Sequence, residues 1–149
     1  MKPNVIAATI FAVAGMSALA LSAQAPKSQW DGVYTVEQAG RGEAIYKQKC
    51  LVCHNRDLYG FSPDMNLGPA LIDEEFAKHW DDATLGDLYN KIHKLMPRDD
   101  PGTLGAQEAA DLLAFILSKS KYPAGNAELP TDVDQLSAYK FLAKNPAAK

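Results

Sequence analysis

The feature that most constrains this chain is the stretch KQKCLVCHNRD at residues 47–57, which holds the only two cysteines of the sequence. Cys50 and Cys53 are separated by two residues, and His54 follows the second cysteine directly. Three kinds of chemistry use this arrangement: a metal site, a redox-active disulfide, or two covalent links to a cofactor with the histidine beside it. The rest of the sequence has to decide between them.

The first 25 residues differ from those that follow. They carry one lysine and no acidic residue, and residues 5–23 form an uncharged run. The triplets at residues 18–20 and 23–25 both match the small-x-small cleavage pattern, so the segment is predicted to be a signal peptide that directs export to the periplasm. Pro26 leaves the cleavage position open. The alternative is a retained membrane anchor, because the run would be about 28 Å long as a helix.

The charge of the remaining chain argues against one class of partner. Removing residues 1–25 takes away one lysine and no acid, which leaves 14 basic and 18 acidic side chains. No basic stripe is visible, and nucleic-acid binding is therefore not expected. Export would permit a disulfide, but a bridge over only two intervening residues closes too small a loop to stabilise the fold appreciably.

The mature chain is predicted to consist of several helices joined by long loops. A lead-in at residues 26–35 precedes a domain at residues 36–121, and a C-terminal extension covers residues 122–149. Apolar spacing and caps predict helices from residue 36 into the cysteine segment, within residues 71–80, at 84–96, from 105 to about 118, and near 132–143 with fraying beyond. No segment alternates as a strand does, so an all-α fold is predicted.

The candidate chemistries are not equally compatible with this pattern. Structural zinc needs four ligands, and His79 and His93 do not form a second matching pair. A thioredoxin-like pair normally follows a strand, and none is predicted before Cys50. Covalent haem attachment is favoured, since sulfurs one helical turn apart reach two vinyl groups and His54 then lies under the iron. A large apolar cofactor would also provide a buried apolar centre for a chain whose long loops bury little apolar area themselves.

The chain resembles the class I c-type cytochromes, which are small all-helical electron carriers. Three blocks carry the resemblance: GEAIYKQKCLVCH at residues 42–54, GPAL at 68–71, and LMPRDDPGTLGAQEAADLLAFIL at 95–117. The longer run from Phe76 to Gly102, with YPAGNAELPTD, is most similar to cytochromes associated with quinoprotein dehydrogenases. The resemblance implies a small cytochrome c fold, with several helices wrapped around one covalently bound haem c that is linked to Cys50 and Cys53.

Met96 is the favoured sixth ligand of the iron. The resemblance points to the Met-Pro pair, and the residues agree because Pro97 ends a helix where a thioether could turn toward the ring. Met65 and His93 are the less favoured ligands, and an open iron position is the last alternative. His93 would give a bis-histidine site of lower potential.

Further residues are expected around the haem. The resemblance implies that the Pro69 carbonyl accepts a hydrogen bond from His54. Trp80 either reaches a haem propionate through its indole N–H or is an ordinary core aromatic. Gly42 and Tyr46 are expected to pack against the last helix of the domain.

The function expected from these features is electron transfer and not catalysis. The protein would accept single electrons from a dehydrogenase, possibly a quinoprotein, and pass them to a terminal oxidase or another cytochrome. One alternative is a haem subunit of a larger dehydrogenase or oxidase complex, for which the extension at residues 122–149 would be the docking feature. Others are a haem-based sensor and a small haem enzyme such as a peroxidase. Membrane association is expected only if the N-terminal segment is retained.

Overall fold

The computed structural model of the protein describes residues 27–61 and 67–148. Within these two ranges the chain is helical and has no strand beyond isolated bridges that Lys140 makes with Ser28 and Thr84. The all-α prediction is therefore confirmed. The predicted signal peptide and Met65 lie outside the described residues. No helix in the described ranges is both long enough and apolar enough to span a bilayer.

A one-turn 3-10 helix at Gln29–Asp31 precedes six α-helices in the described part of the chain. Their bounds are α1 Val36–Lys49, α2 Leu51–His54, α3 Glu74–Trp80, α4 Leu85–Leu95, α5 Ala106–Lys119 and α6 Val133–Ser137. Helices α1, α3, α4 and α5 lie where apolar spacing and capping residues predict them.

The starts of α4 and α5 are set by local hydrogen bonds. The Asp87 backbone N–H donates to Thr84 Oγ1 at 3.1 Å, and the Thr84 N–H donates back to the Asp87 carboxylate at 2.9 Å. At α5, the Gly105 N–H donates to Glu108 Oε2 at 2.8 Å. These bonds satisfy backbone donors that a helix start leaves without partners, which is why both starts were predictable from sequence.

The centre of the fold is the close crossing of α1 and α5. Residues 109–117 of α5 are all buried, so this helix has core on every side. Gly42 of α1 lies against it: a side chain there would overlap the Asp111 carbonyl and come within 2.8 Å of Phe115 Cβ. One turn further on, the Tyr46 and Phe115 rings have centroids 5.2 Å apart. The expected packing of Gly42 and Tyr46 on the last helix of the domain is present.

The C-terminal region differs from the prediction in where its helix ends. The expected helix at residues 132–143 stops at Ser137, and residues 139–143 are not helical, with Lys140 in two isolated bridges. Their backbone groups bond to distant partners: the N–H of Lys140 donates to the Lys27 carbonyl at 2.8 Å. Leu136 and Phe141 are fully buried, so this segment is part of the core. The fraying expected beyond residue 143 stays a prediction. We call residues 128–143 the C-terminal strap. The division at residues 35 and 121 stays a prediction.

Candidate functional site

The two cysteines lie on a single helical turn directly after α1. The backbone N–H groups of Cys53 and His54 donate to the Cys50 carbonyl at 3.1 and 2.9 Å. Both thiols are free and line one cavity together with the His54 ring. Burial raises the pKa of the Cys50 thiol to about 11, so this thiol is protonated at neutral pH and is a poor redox nucleophile. The turn presents two thiols and one imidazole to a common space.

The orientation of the His54 ring is set by a backbone carbonyl. His54 Nδ1 lies 2.8 Å from the carbonyl oxygen of Pro69. Because a carbonyl oxygen only accepts hydrogen bonds, Nδ1 carries a proton, and Nε2 is the nitrogen left to bind a metal when the ring is neutral. A ring held in this way, with the second nitrogen free, is the usual state of a metal-binding histidine.

Gly68 lets the chain pass close enough to make that bond. A Cβ atom at this position would lie 2.6 Å from both Cε1 and Nδ1 of His54, closer than side chains tolerate. The Gly68 N–H also donates to the Cys53 carbonyl at 2.8 Å, which fixes the loop to the cysteine turn. Sequence reasoning gave Gly68 no role. The Gly-Pro pair was a signal for a turn, but the approach to the ring is a tertiary contact.

The cavity next to this turn has a volume of about 1100 Å³. Small-molecule pockets typically measure about 300–1,000 Å³, so the space suits a large ligand. Its walls come from α1 to α5 and from the loops at residues 67–73 and 96–104. The apolar residues that line it include Leu67, Ala70, Leu71, Phe76, Trp80, Leu88, Ile92, Met96, Leu104, Leu112 and Ile116.

Met96 lies in the wall of the same cavity, directly after the last residue of α4. Its N–H donates to the Ile92 carbonyl at 3.2 Å, and Pro97 also lines the space. His93 does not border the cavity; its ring packs on Tyr89 with centroids 5.4 Å apart. The described residues therefore bring Met96 and His54 to one cavity and leave His93 outside it.

Trp80 lies in the cavity wall at the end of α3. Its ring centroid is 6.2 Å from that of Phe76 and 5.3 Å from that of His79, and all three residues border the cavity. This position is compatible with both expected roles, a propionate donor and a packing aromatic. Charged side chains also border the space, and they are Lys49, Asp73, Glu75, Lys91, Arg98 and Asp99.

The donor set matches haem better than it matches a metal ion alone. No group of three or more His, Cys, Asp or Glu side chains is placed to hold a metal within residues 27–61 and 67–148. The cavity instead combines one imidazole nitrogen, one thioether and two free thiols with largely apolar walls. This is the combination that a haem with His/Met ligation and two thioether links requires. The residues present therefore fit the group.

Comparison with known proteins gives a family. The family model described as cytochrome c oxidase, cbb3-type, subunit III matches residues 37–116. No curated protein sequence matches the chain. Among solved structures, the sulfane dehydrogenase SoxCD from Paracoccus pantotrophus is similar at 17% identity and a TM-score of 0.48, with 83% of this chain and 68% of that chain covered. Because the family match spans more than half of the 149 residues, the protein belongs to this cytochrome family and is a class I c-type cytochrome.

Proposed function

We propose that the protein is a mono-haem electron carrier that transfers one electron at a time between redox partners. The observation that carries the proposal is the convergence of four groups on one apolar cavity. They are the two free thiols of Cys50 and Cys53, the oriented imidazole of His54 and the thioether of Met96. The cytochrome family supports electron transfer and implies haem c.

Each of these residues has a separate task in the proposed holoprotein. Cys50 and Cys53 would form the two thioether links to the haem. His54 Nε2 and the Met96 sulfur would hold its iron, and the hydrogen bond to the Pro69 carbonyl would increase the basicity of His54. The bound haem supplies a reversible one-electron Fe(III)/Fe(II) couple. The apolar residues of the cavity exclude water and thereby contribute to the potential.

The two axial ligands also support a carrier in preference to an enzyme. A haem peroxidase needs an open iron position and an acid–base group placed beside it. If His54 and Met96 both held the iron, no position would be left for a substrate. Rapid binding of carbon monoxide to the reduced native protein would contradict this assignment, and slow or no binding would support it.

The location and partners of the protein are further parts of the proposal. The uncharged N-terminal run and its small-x-small triplets support export to the periplasm. There the protein would accept electrons from a dehydrogenase, possibly a quinoprotein, and deliver them to a terminal oxidase or another cytochrome. The similarity to quinoprotein-associated cytochromes supports this choice of donor.

A role as a subunit of a larger complex is the second candidate. The matched family is described as a subunit of a cbb3-type oxidase, which favours this alternative. Size-exclusion chromatography of native periplasm and membranes, followed by haem detection, separates the two. Haem that elutes at the size of the free protein supports the carrier, and haem that elutes only with an oxidase or dehydrogenase supports the subunit.

The ligand assignment is tested by replacing Met96 with alanine. Met96→Ala should abolish the weak sulfur-to-iron charge-transfer band of the oxidised protein, because the thioether is no longer available. Met65→Ala is the matched control and should keep the band. A band that persists in the Met96 variant, or disappears in the Met65 variant, would show that the assignment is wrong.

A further inference from the structure

The C-terminal strap is held at both of its ends by buried glutamine side chains. Gln38 Nε2 donates to the Leu129 carbonyl at 3.1 Å, and the Leu129 N–H donates back to Gln38 Oε1 at 2.8 Å. Gln29 makes the same pair of bonds with Leu142, at 2.6 and 3.0 Å. Both glutamines are fully buried. Two reciprocal amide pairs, shielded from water, fix the strap to the body of the protein.

The last residues of the strap are bound to the segment that directly follows α3. The Phe141 N–H donates to the Ala83 carbonyl at 2.8 Å, and the Asp82 N–H donates to the Phe141 carbonyl at 2.9 Å. The Ala143 N–H donates to Asp81 Oδ1, also at 2.8 Å. All three partners come immediately after Trp80, so the strap holds the corner between α3 and α4.

The side chain of Phe141 continues this contact toward the cavity. Phe141 is fully buried, and its ring meets the Phe76 ring edge to face with centroids 6.2 Å apart. Phe76 belongs to α3 and lines the cavity. Helix α3 itself has no fully buried residue. The position of α3 against the cavity therefore depends on the residues that pack on it. Phe141 is a buried ring that contacts α3 through Phe76.

We propose that Phe141 is a positioning residue for the haem: through Phe76 it holds α3, and with it the Phe76 and Trp80 rings, against the cavity. The inference rests on the proposed function, since it assumes a bound haem. A tight apolar wall limits water at the iron and favours Fe(II), which carries less charge than Fe(III). The strap then contributes to the reduction potential without touching the haem.

The test compares two phenylalanine-to-leucine variants of the full-length, haem-loaded protein. Phe141→Leu removes the ring behind α3, and Phe115→Leu removes a buried ring from the crossing of α1 and α5. Neither ring borders the cavity, and each contacts one aromatic residue that does, Phe76 for Phe141 and Tyr46 for Phe115, so the control differs only in the helix it supports. Phe141→Leu should shift the ferric/ferrous equilibrium toward the ferric form by about threefold or more in a redox titration. For Phe115→Leu, the logarithm of the ferric-to-ferrous ratio should change by less than about half as much as for Phe141→Leu. Equal shifts in the two variants would overturn the proposal.

Two further measurements test the route through Phe76. Amide hydrogen exchange at residues 74–80 should be faster in Phe141→Leu than in Phe115→Leu, because only the first loosens α3. The potential shifts of Phe141→Leu and Phe76→Leu should be less than additive in the double variant. Additive shifts, or unchanged exchange at residues 74–80, would overturn the proposal.

The outcomes also separate this inference from the proposed function. If Phe141→Leu does not fold, Phe141→Met keeps the side-chain length while removing the ring, and the same criteria apply to it. A wild-type protein that takes up no haem would refute the proposed function itself. A haem-loaded wild type whose variants titrate alike would refute only the role of Phe141.

Discussion

The crossing of α1 and α5 and the turn-and-helix wall formed by α2 and α3 are packed in different ways. Nine consecutive residues of α5 are buried, whereas neither α2 nor α3 has a fully buried residue. Where the two helices cross, protein atoms touch directly, with Gly42 against the Asp111 backbone. Helices α2 and α3 lie along a cavity of about 1100 Å³, which also reaches Leu112 and Ile116 on one side of α5. The chain itself makes the contact at the crossing, whereas α2 and α3 face the space that the haem of this family would fill.

The largest effect is expected at the crossing, from Gly42→Ala. The added methyl group would overlap the Asp111 carbonyl, and a backbone group can move only if the two helices separate. We expect the free energy of unfolding to fall by about 3 kcal/mol, measured by guanidinium titration of the haem-loaded protein.

Gly40→Ala provides the matched control in the same helix. Nothing lies within 4 Å of a Cβ atom at this position, so only the higher helix propensity of alanine should act. Stability should rise by about 0.5–1 kcal/mol. Equal effects of the two substitutions would mean that the crossing is not as closely packed as its geometry indicates.

A smaller effect on stability, with a larger one on the iron site, is expected from Gly68→Ala. The new Cβ atom would press mainly on the His54 ring, which borders the cavity and can move, and would also lie 2.8 Å from the Cys53 carbonyl oxygen. We expect the free energy of unfolding to be about 1–2 kcal/mol lower than that of the wild type. The spectrum of the oxidised protein should show partial loss of the axial histidine. An unchanged spectrum would argue that the ring is not held by the loop.

Helix starts could be predicted from the sequence better than the C-terminal strap, because the contacts involved differ in their distance along the chain. Helices α4 and α5 could be placed because the residues that start them lie three positions apart. The strap could not be predicted, because Gln29 bonds Leu142, which is 113 positions away. Local sequence patterns do not indicate contacts at such separations. At the candidate site, the spacing of Cys50, Cys53 and His54 is local and suggested haem. The close approach of Gly68 to the histidine ring is not local and was missed.

The smallest effect concerns acid stability at the start of α5. Hydrogen bonds from the Lys49 ammonium and the Gly105 N–H lower the pKa of Glu108. The folded state then binds this proton less readily than the unfolded state, where the pKa is about 4.3. The stabilisation is present above that value and is lost as the pH falls through the folded pKa.

Glu108→Gln removes this titration. Relative to the wild type, the variant should be less stable by about 0.5–1 kcal/mol near neutral pH, after allowance for solvent screening, and equally stable at low pH. Urea titrations across the acid range measure the difference. Asp87→Asn makes the corresponding change at α4, where hydrogen bonds from Thr84 lower the pKa of Asp87. A difference that grows as the pH falls would contradict the sign of both shifts.

The bond between the Lys140 N–H and the Lys27 carbonyl also bears on how the protein could be attached to a surface. It places Lys27, the first described residue, beside the strap, whose Phe141 is bound to the corner between α3 and α4. A linker joined directly ahead of Lys27 would therefore begin next to the strap. Immobilising the cytochrome on an electrode through such a linker would place the strap on the side that faces the electrode.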